Sequence, residues 1–157
     1  LIQPNDQALG NFWKIQRLNR FALVVFSDFN EITHIDEKCG WAKRNADQME
    51  AFRNVVDNCG LRDLEFVGQR FTWCNGRIGD QRTLIKLDRV VANDRWIGFF
   101  QQAKVHHRSM SSSNHCLLAL YPIPVHKGIE EKSDSELSQC GLEMRDVVMW
   151  WSLPSHV

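Results

Sequence analysis

FALVVF at residues 21–26, running directly into SDFNEI at 27–32, is the stretch on which the fold turns. A short apolar run bounded by Arg20 and Ser27 has the pattern of a strand covered on both faces. The polar run behind it then forms the loop at that strand's C-terminal end, the edge at which α/β proteins build sites. Asp28 and Asn30 stand there.

Downstream, Asn45 with Gln48 three residues on reads as a capping box. Met49, Phe52, Val56 and Cys59 recur at helical spacing until Gly60 can stop the turn, which predicts a helix over 46–59. RFTWC (70–74) alternates and ends in Asn75-Gly76, a strong turn signal, and TLIKLDRVVA (83–92) is rich in β-formers, so the two predict a hairpin. Asn93-Asp94 opens a short helix, DRWIGFF. A strand AKVHHR follows, then a Ser-rich loop SMSSSNH and a last apolar strand CLLALY at 116–121. Two close prolines and a loss of periodicity put a boundary near residue 122. Residues 1–121 then form the domain, and 122–157 a linker with a short apolar tail.

The whole chain of 157 residues, 43% hydrophobic and 24% charged, has the composition of a globular domain rather than a disordered segment. No apolar run is long enough to span a bilayer, and LIQPNDQALG has no secretory character, so the expected setting is intracellular, nuclear or cytoplasmic, without a membrane partner. Nothing in the pattern marks a homo-oligomer. Five cysteines at irregular spacing with no C-x-x-C argue against a disulfide framework and a structural zinc site. Residues 1–121 carry 16 Lys+Arg against 13 Asp+Glu and 122–157 carry 3 against 6, so the body is +3 and the tail −3. A surplus that small does not by itself identify a nucleic-acid surface.

Three polar clusters fall at strand ends or loops: Asp28 and Asn30 in SDFN, Asp88 in KLDR, and His115 in SSSNH. Together they are suited to a phosphodiester. Its anion repels nucleophiles, so hydrolysis needs charge neutralisation, a base for water and donors for the pentacoordinate oxygens. Aspartate can act as the base, asparagine can orient water or phosphate without adding charge, and an imidazolium held by a second carboxylate can stabilise the oxyanion. Each motif alone has a plain structural reading as a turn, an Asx cap or a solvated histidine.

The order of these motifs closely resembles the second half of endonuclease/exonuclease/phosphatase domains, in the branch carried by plant LINE-type retroelements. It runs from SDFNEI through an M-E-A-F-R helix reaching DNCGLRDL, then RFTWCNG, then KLDRVVAND-RW, to a Ser-rich loop with NHCLLAL. The resemblance covers about residues 20–121. It implies a four-layer α/β sandwich, here partial, with one sheet and its flanking helices present and the half that carries the second sheet missing. The exposed inner face would then need a cover, for which Val147, Val148, Trp150 and Trp151 of the tail are available.

The same resemblance implies a Mg²⁺-dependent endonuclease acting on DNA. Asp28 takes the place of the water-activating or metal-facing carboxylate, and Asn30 that of a phosphate or water partner. Asp88 becomes the carboxylate that orients the catalytic histidine, and His115 that histidine. Trp73, Asn75 and Ser113 fall at substrate-binding positions, and Asn114 stands beside Asp28 in the metal region. An alternating strand equally packs Phe71 and Trp73 into a core.

Four departures bear on activity. Ser27 replaces the usual glycine, adding a side chain at a tight junction. Lys86 replaces an arginine, losing a fork-shaped donor. Asn114 replaces an aspartate, removing charge near the metal. The metal-binding glutamate has no match, since Glu31 and Glu37 lie nearby in sequence but not at its position. The expectation is a truncated, inactive relative of such an endonuclease, with a non-catalytic DNA- or protein-binding remnant as the alternative.

Overall fold

A computed structural model describes residues 20–110, 112–123 and the strand backbone of 147–151. The start of the chain, Cys140 and most of the expected linker and tail lie outside these residues. The described chain mixes helices with three small sheets, an α/β protein in the broad sense.

The opening apolar run becomes β1 (Ala22–Asp28), covered on both faces as its sequence requires. Leu23 and Val25 pack with Phe52, Val56, Leu61 and Val91, while Ala22, Val24 and Phe26 join Val90, Ala92, Trp96 and Val105 on the other side. Strand alternation sends neighbouring side chains to opposite faces, so one strand feeds two cores. In its sheet β1 lies beside β7 (Asp88–Asn93), which in turn pairs with β3 (Leu61–Asp63); both pairings are antiparallel.

The first core is closed by α1 (Ala46–Asn58), whose Asn45 cap accepts from the Asp47 amide at 2.9 Å. The second is closed by α2 (Asp94–Phe99) together with a sheet of β4 (Phe66–Gly68), β8 (Lys104–Arg108) and β9 (Leu117–Tyr121). Asn93 ties these parts together. Its side-chain oxygen accepts from the Trp96 amide to cap α2 and from the Leu23 amide of β1, both at 3.0 Å.

The face expected to stand open is therefore covered. The tail segment contributes elsewhere: β10 (Val147–Trp151) adds to the sheet edge, parallel to β1, through its main chain.

The sequence pattern placed one sheet in this region, whereas the strands divide among three. The third holds β2 (Lys38–Cys39), β5 (Trp73–Cys74) and β6 (Leu84–Ile85), with β5 and β6 forming the expected hairpin. TLIKLDRVVA does not run as one strand because Thr72 intervenes. Its buried hydroxyl oxygen accepts from the amides of Leu87 and Asp88 at 3.0 and 2.9 Å, which takes those amides out of any ladder and turns the chain between β6 and β7.

Candidate active site

Asp28 and Asp88 are Cα partners at the ends of β1 and β7, so strand register alone sets the two carboxylates side by side. His115 arrives from the loop before β9. Its main chain forms an isolated bridge with Trp73, secured by the Cys74 amide on the Asn114 carbonyl at 3.0 Å and the Cys116 amide on the Thr72 carbonyl at 2.7 Å. Elements of all three sheets thus meet here. The Asp28, Asp88 and His115 side chains bring one potential ligand atom each to within 4.8 Å of one another.

His115 Nδ1 lies 3.0 and 3.2 Å from the two Asp88 oxygens. A carboxylate can only accept, so Nδ1 carries the proton and Nε2 is left for a ligand. The His115 side chain is 34% exposed and that of Asp88 14%, which keeps the pair reachable while shielding it from competing water.

One oxygen of Asp28 accepts from the Asn30 amide at 2.9 Å. Burial pushes the Asp28 carboxyl above its usual range; the Asn30 amide works against this, facing Asp88 adds to it and His115 offsets it. A partly buried carboxyl with a raised proton affinity, in a cleft, is suited to accepting a proton.

Asn30 itself is exposed, with φ 55°, the left-handed conformation that asparagine tolerates better than most residues. The local strain therefore sits at Asn30 and not at Ser27, which is an ordinary strand residue whose hydroxyl donates to the Asp28 carbonyl.

His115 stands between two open clefts. The smaller, about 170 Å³, includes Phe26, Asp28, Asp88, Ser113 and Leu118 in its walls. The larger, about 500 Å³, runs along Arg70, Phe71, Trp73, Arg82 and Asn114. Ser113 borders both, and its hydroxyl accepts from the His115 amide at 3.0 Å.

Trp73 packs against the cluster of Ile32, Met49, Ile85 and Leu87 while also lining the larger cleft. Asn75 does not reach the site. Its side-chain oxygen accepts from the Arg77 and Thr83 amides and its nitrogen donates to the Gln81 carbonyl, so the group is spent on its own loop. Asn114 lies on the Trp73 side of His115, away from Asp28, with its side-chain oxygen 3.6 Å from the position of a Cβ added to Gly76.

Magnesium requires near-octahedral oxygen ligation at about 2.0–2.1 Å. Here Asp88 is engaged through both oxygens by His115, one Asp28 oxygen by Asn30, and Asn114 is uncharged and lies apart. These residues do not fit a resident magnesium ion.

The sequence pattern passed over Thr72, which holds the Asp88 amide through its hydroxyl and the Cys116 amide through its carbonyl, thereby setting the Asp88–His115 distance. The signal was available in RFTWC, where Thr72 is the lone polar residue facing opposite to Phe71 and Trp73. Lys86 belongs to another structure. Its ammonium donates to Asp63 at 2.6 Å, within a buried group completed by Arg89 and Glu37.

No family model, curated protein or solved structure matches this chain.

Proposed function

We propose that this chain is a catalytically deficient relative of the magnesium-dependent DNA endonucleases of LINE-type retroelements, carrying the histidine side of their site on part of a four-layer α/β sandwich. The carrying observation is the Asp88–His115 pair, 3.0 Å apart and within reach of Asp28.

In this reading Asp88 holds the imidazole so that Nε2 meets a phosphate oxygen, and a proton on Nε2 would stabilise the developing oxyanion. Asp28 takes the proton from the attacking water, and its raised proton affinity suits that task. The deficiency lies in charge neutralisation. Asn114 is neutral, and no glutamate belongs to the metal-ligating cluster found among the described residues.

The test compares nicking of supercoiled plasmid by four proteins under one magnesium and salt condition. These are the chain, its Asn114→Asp variant, and each of the two joined to the glutamate-bearing half of a related endonuclease. Nicking is expected to be absent from the first two, weak in the third and strong in the fourth, where His115→Ala abolishes it. No nicking by the fourth protein, if folded, sinks the family reading. Strong nicking by Asn114→Asp alone would show that a residue already present supplies the missing charge.

The larger cleft supports a second reading, a DNA-contacting module without turnover, because Arg70 and Arg82 accompany Phe71 and Trp73 along it. This reading predicts DNA affinity that falls with salt and no cleavage by any of the four proteins.

A further inference from the structure

The three side chains that fall short of magnesium's requirements come close to those of a different ion. We infer that Asp28, Asp88 and His115 form a binding site for a zinc-like divalent cation, such as Zn²⁺ or Co²⁺, which replaces the proton shared by His115 and Asp88. This rests on the proposed function only for the convergence of the three side chains, and not for any action on DNA.

The donor set is the first reason. Imidazole nitrogen with carboxylate oxygen suits zinc and its neighbours, whereas magnesium selects oxygen alone. The second is spacing. Bonds of about 2.0 Å around a tetrahedral ion set neighbouring donors about 3.3 Å apart, and Nδ1 already lies 3.0 and 3.2 Å from the Asp88 oxygens. The proton between them leaves for solvent as the ion enters, and one Asp28 oxygen, within 4.8 Å of the other two ligand atoms, closes the third position. The adjoining cleft of about 170 Å³ leaves room for water at a fourth.

Charge balance is the third reason. Asp28 and Asp88 face each other on paired strands, and no lysine or arginine lines the cleft they share. The carboxylates around Arg89 have two cations among them, whereas these two have only the imidazole. A bound dication supplies the missing charge.

Direct binding to the metal-free full chain tests this, by calorimetry with Zn²⁺, Co²⁺ and Mg²⁺ and by the visible spectrum of the Co²⁺ form. One ion per chain is expected, with zinc and cobalt held about 100-fold or more tighter than magnesium. His115→Ala and Asp28→Asn should each weaken cobalt binding by about tenfold or more. Asp28→Asn keeps an acceptor for the Asn30 amide, and an unchanged urea midpoint will show that its fold is intact. The cobalt spectrum should carry no sulfur charge-transfer band, which separates this site from one built on Cys74 and Cys116 beside the larger cleft.

Magnesium binding as tightly as zinc, cobalt affinity unmoved by either variant, or a thiolate band would each overturn the inference. Zinc binding that survives while the repaired protein fails to nick DNA upholds this site and sinks the nuclease reading. Nicking by the repaired protein without zinc binding does the reverse.

Discussion

Two groups of ionisable side chains lie on either side of β7, and they use the same chemistry to opposite ends. Around Arg89, whose side chain is 1% exposed, Glu37 and Asp63 face Arg89 and Lys86, two carboxylates against two cations. Almost every donor and acceptor is spent: Arg89 binds Glu37 at 2.9 Å and Asp63 at 2.6 Å, and Glu37 also takes the Thr33 amide and hydroxyl. Around His115 two carboxylates face one imidazole beside an open cleft, and Nε2 and part of Asp28 remain uncommitted. The difference teaches that perturbed ionisable residues do not by themselves identify a site. A site is marked by capacity left unspent and reachable from solvent.

Replacement of Arg89 separates the two groups most sharply. Arg89→Met leaves Glu37 and Asp63 with Lys86 alone, and loss of one member of a buried ion pair typically costs about 3–5 kcal/mol. His115→Ala, at a half-exposed position, should cost less than about 1 kcal/mol. Urea unfolding measures both, and similar losses would erase the distinction.

Acid should act through the first group. The Glu37 carboxyl is lowered to about 2; burial opposes this, but the Arg89 hydrogen bond and charge, the Thr33 amide and Lys86 outweigh it. Because its folded value lies below the unfolded one, its stabilisation is complete above about pH 4.5 and is lost as pH falls toward about 2. Thermal unfolding across that window should steepen in the wild type and flatten in Glu37→Gln. An equally steep Glu37→Gln profile would place the acid sensitivity elsewhere.

Asn30 tests what the loop after β1 is for. Its φ of 55° predicts that Asn30→Ala destabilises by about 1 kcal/mol while Asn30→Gly is nearly neutral. Equal losses in the two variants would mean that the carboxamide itself holds the fold.

Asp28 should give the smallest effect and the opposite sign. Its folded proton affinity is raised, first by burial, so the protonated form is favoured in the fold and this contribution fades as pH rises through the folded value. Asp28→Asn should therefore stabilise slightly near neutral pH, with the gain vanishing below the ordinary carboxylate range. Destabilisation at neutral pH would make Asp28 a structural residue like Glu37.

Much of this architecture was legible in the sequence wherever local pattern decides it. FALVVF became β1, helical spacing at Met49, Phe52 and Val56 became α1, and Asn93-Asp94 opened α2. Asp28, Asp88 and His115 stood out only through the order of their motifs, since nothing local in KLDR or SSSNH brings residues 27 positions apart together. The division into three sheets was hidden because it depends on Thr72 reaching the Leu87 and Asp88 amides across 15 and 16 residues. The Glu37–Arg89 pair, 52 residues apart, was hidden for the same reason. Asn75 was misjudged because a turn asparagine that organises its own loop has the same sequence signature as one facing a ligand.

The central claim is that Asp88 fixes the His115 imidazole for work in the cleft. Nitrogen-15 NMR of the metal-free chain, at a pH where that ring is neutral, tests it most directly by reporting which ring nitrogen carries the proton. The account predicts the Nδ1–H tautomer of His115 in the wild type and loss of that preference in Asp88→Ala. A proton on Nε2, or a tautomer indifferent to Asp88, would contradict it.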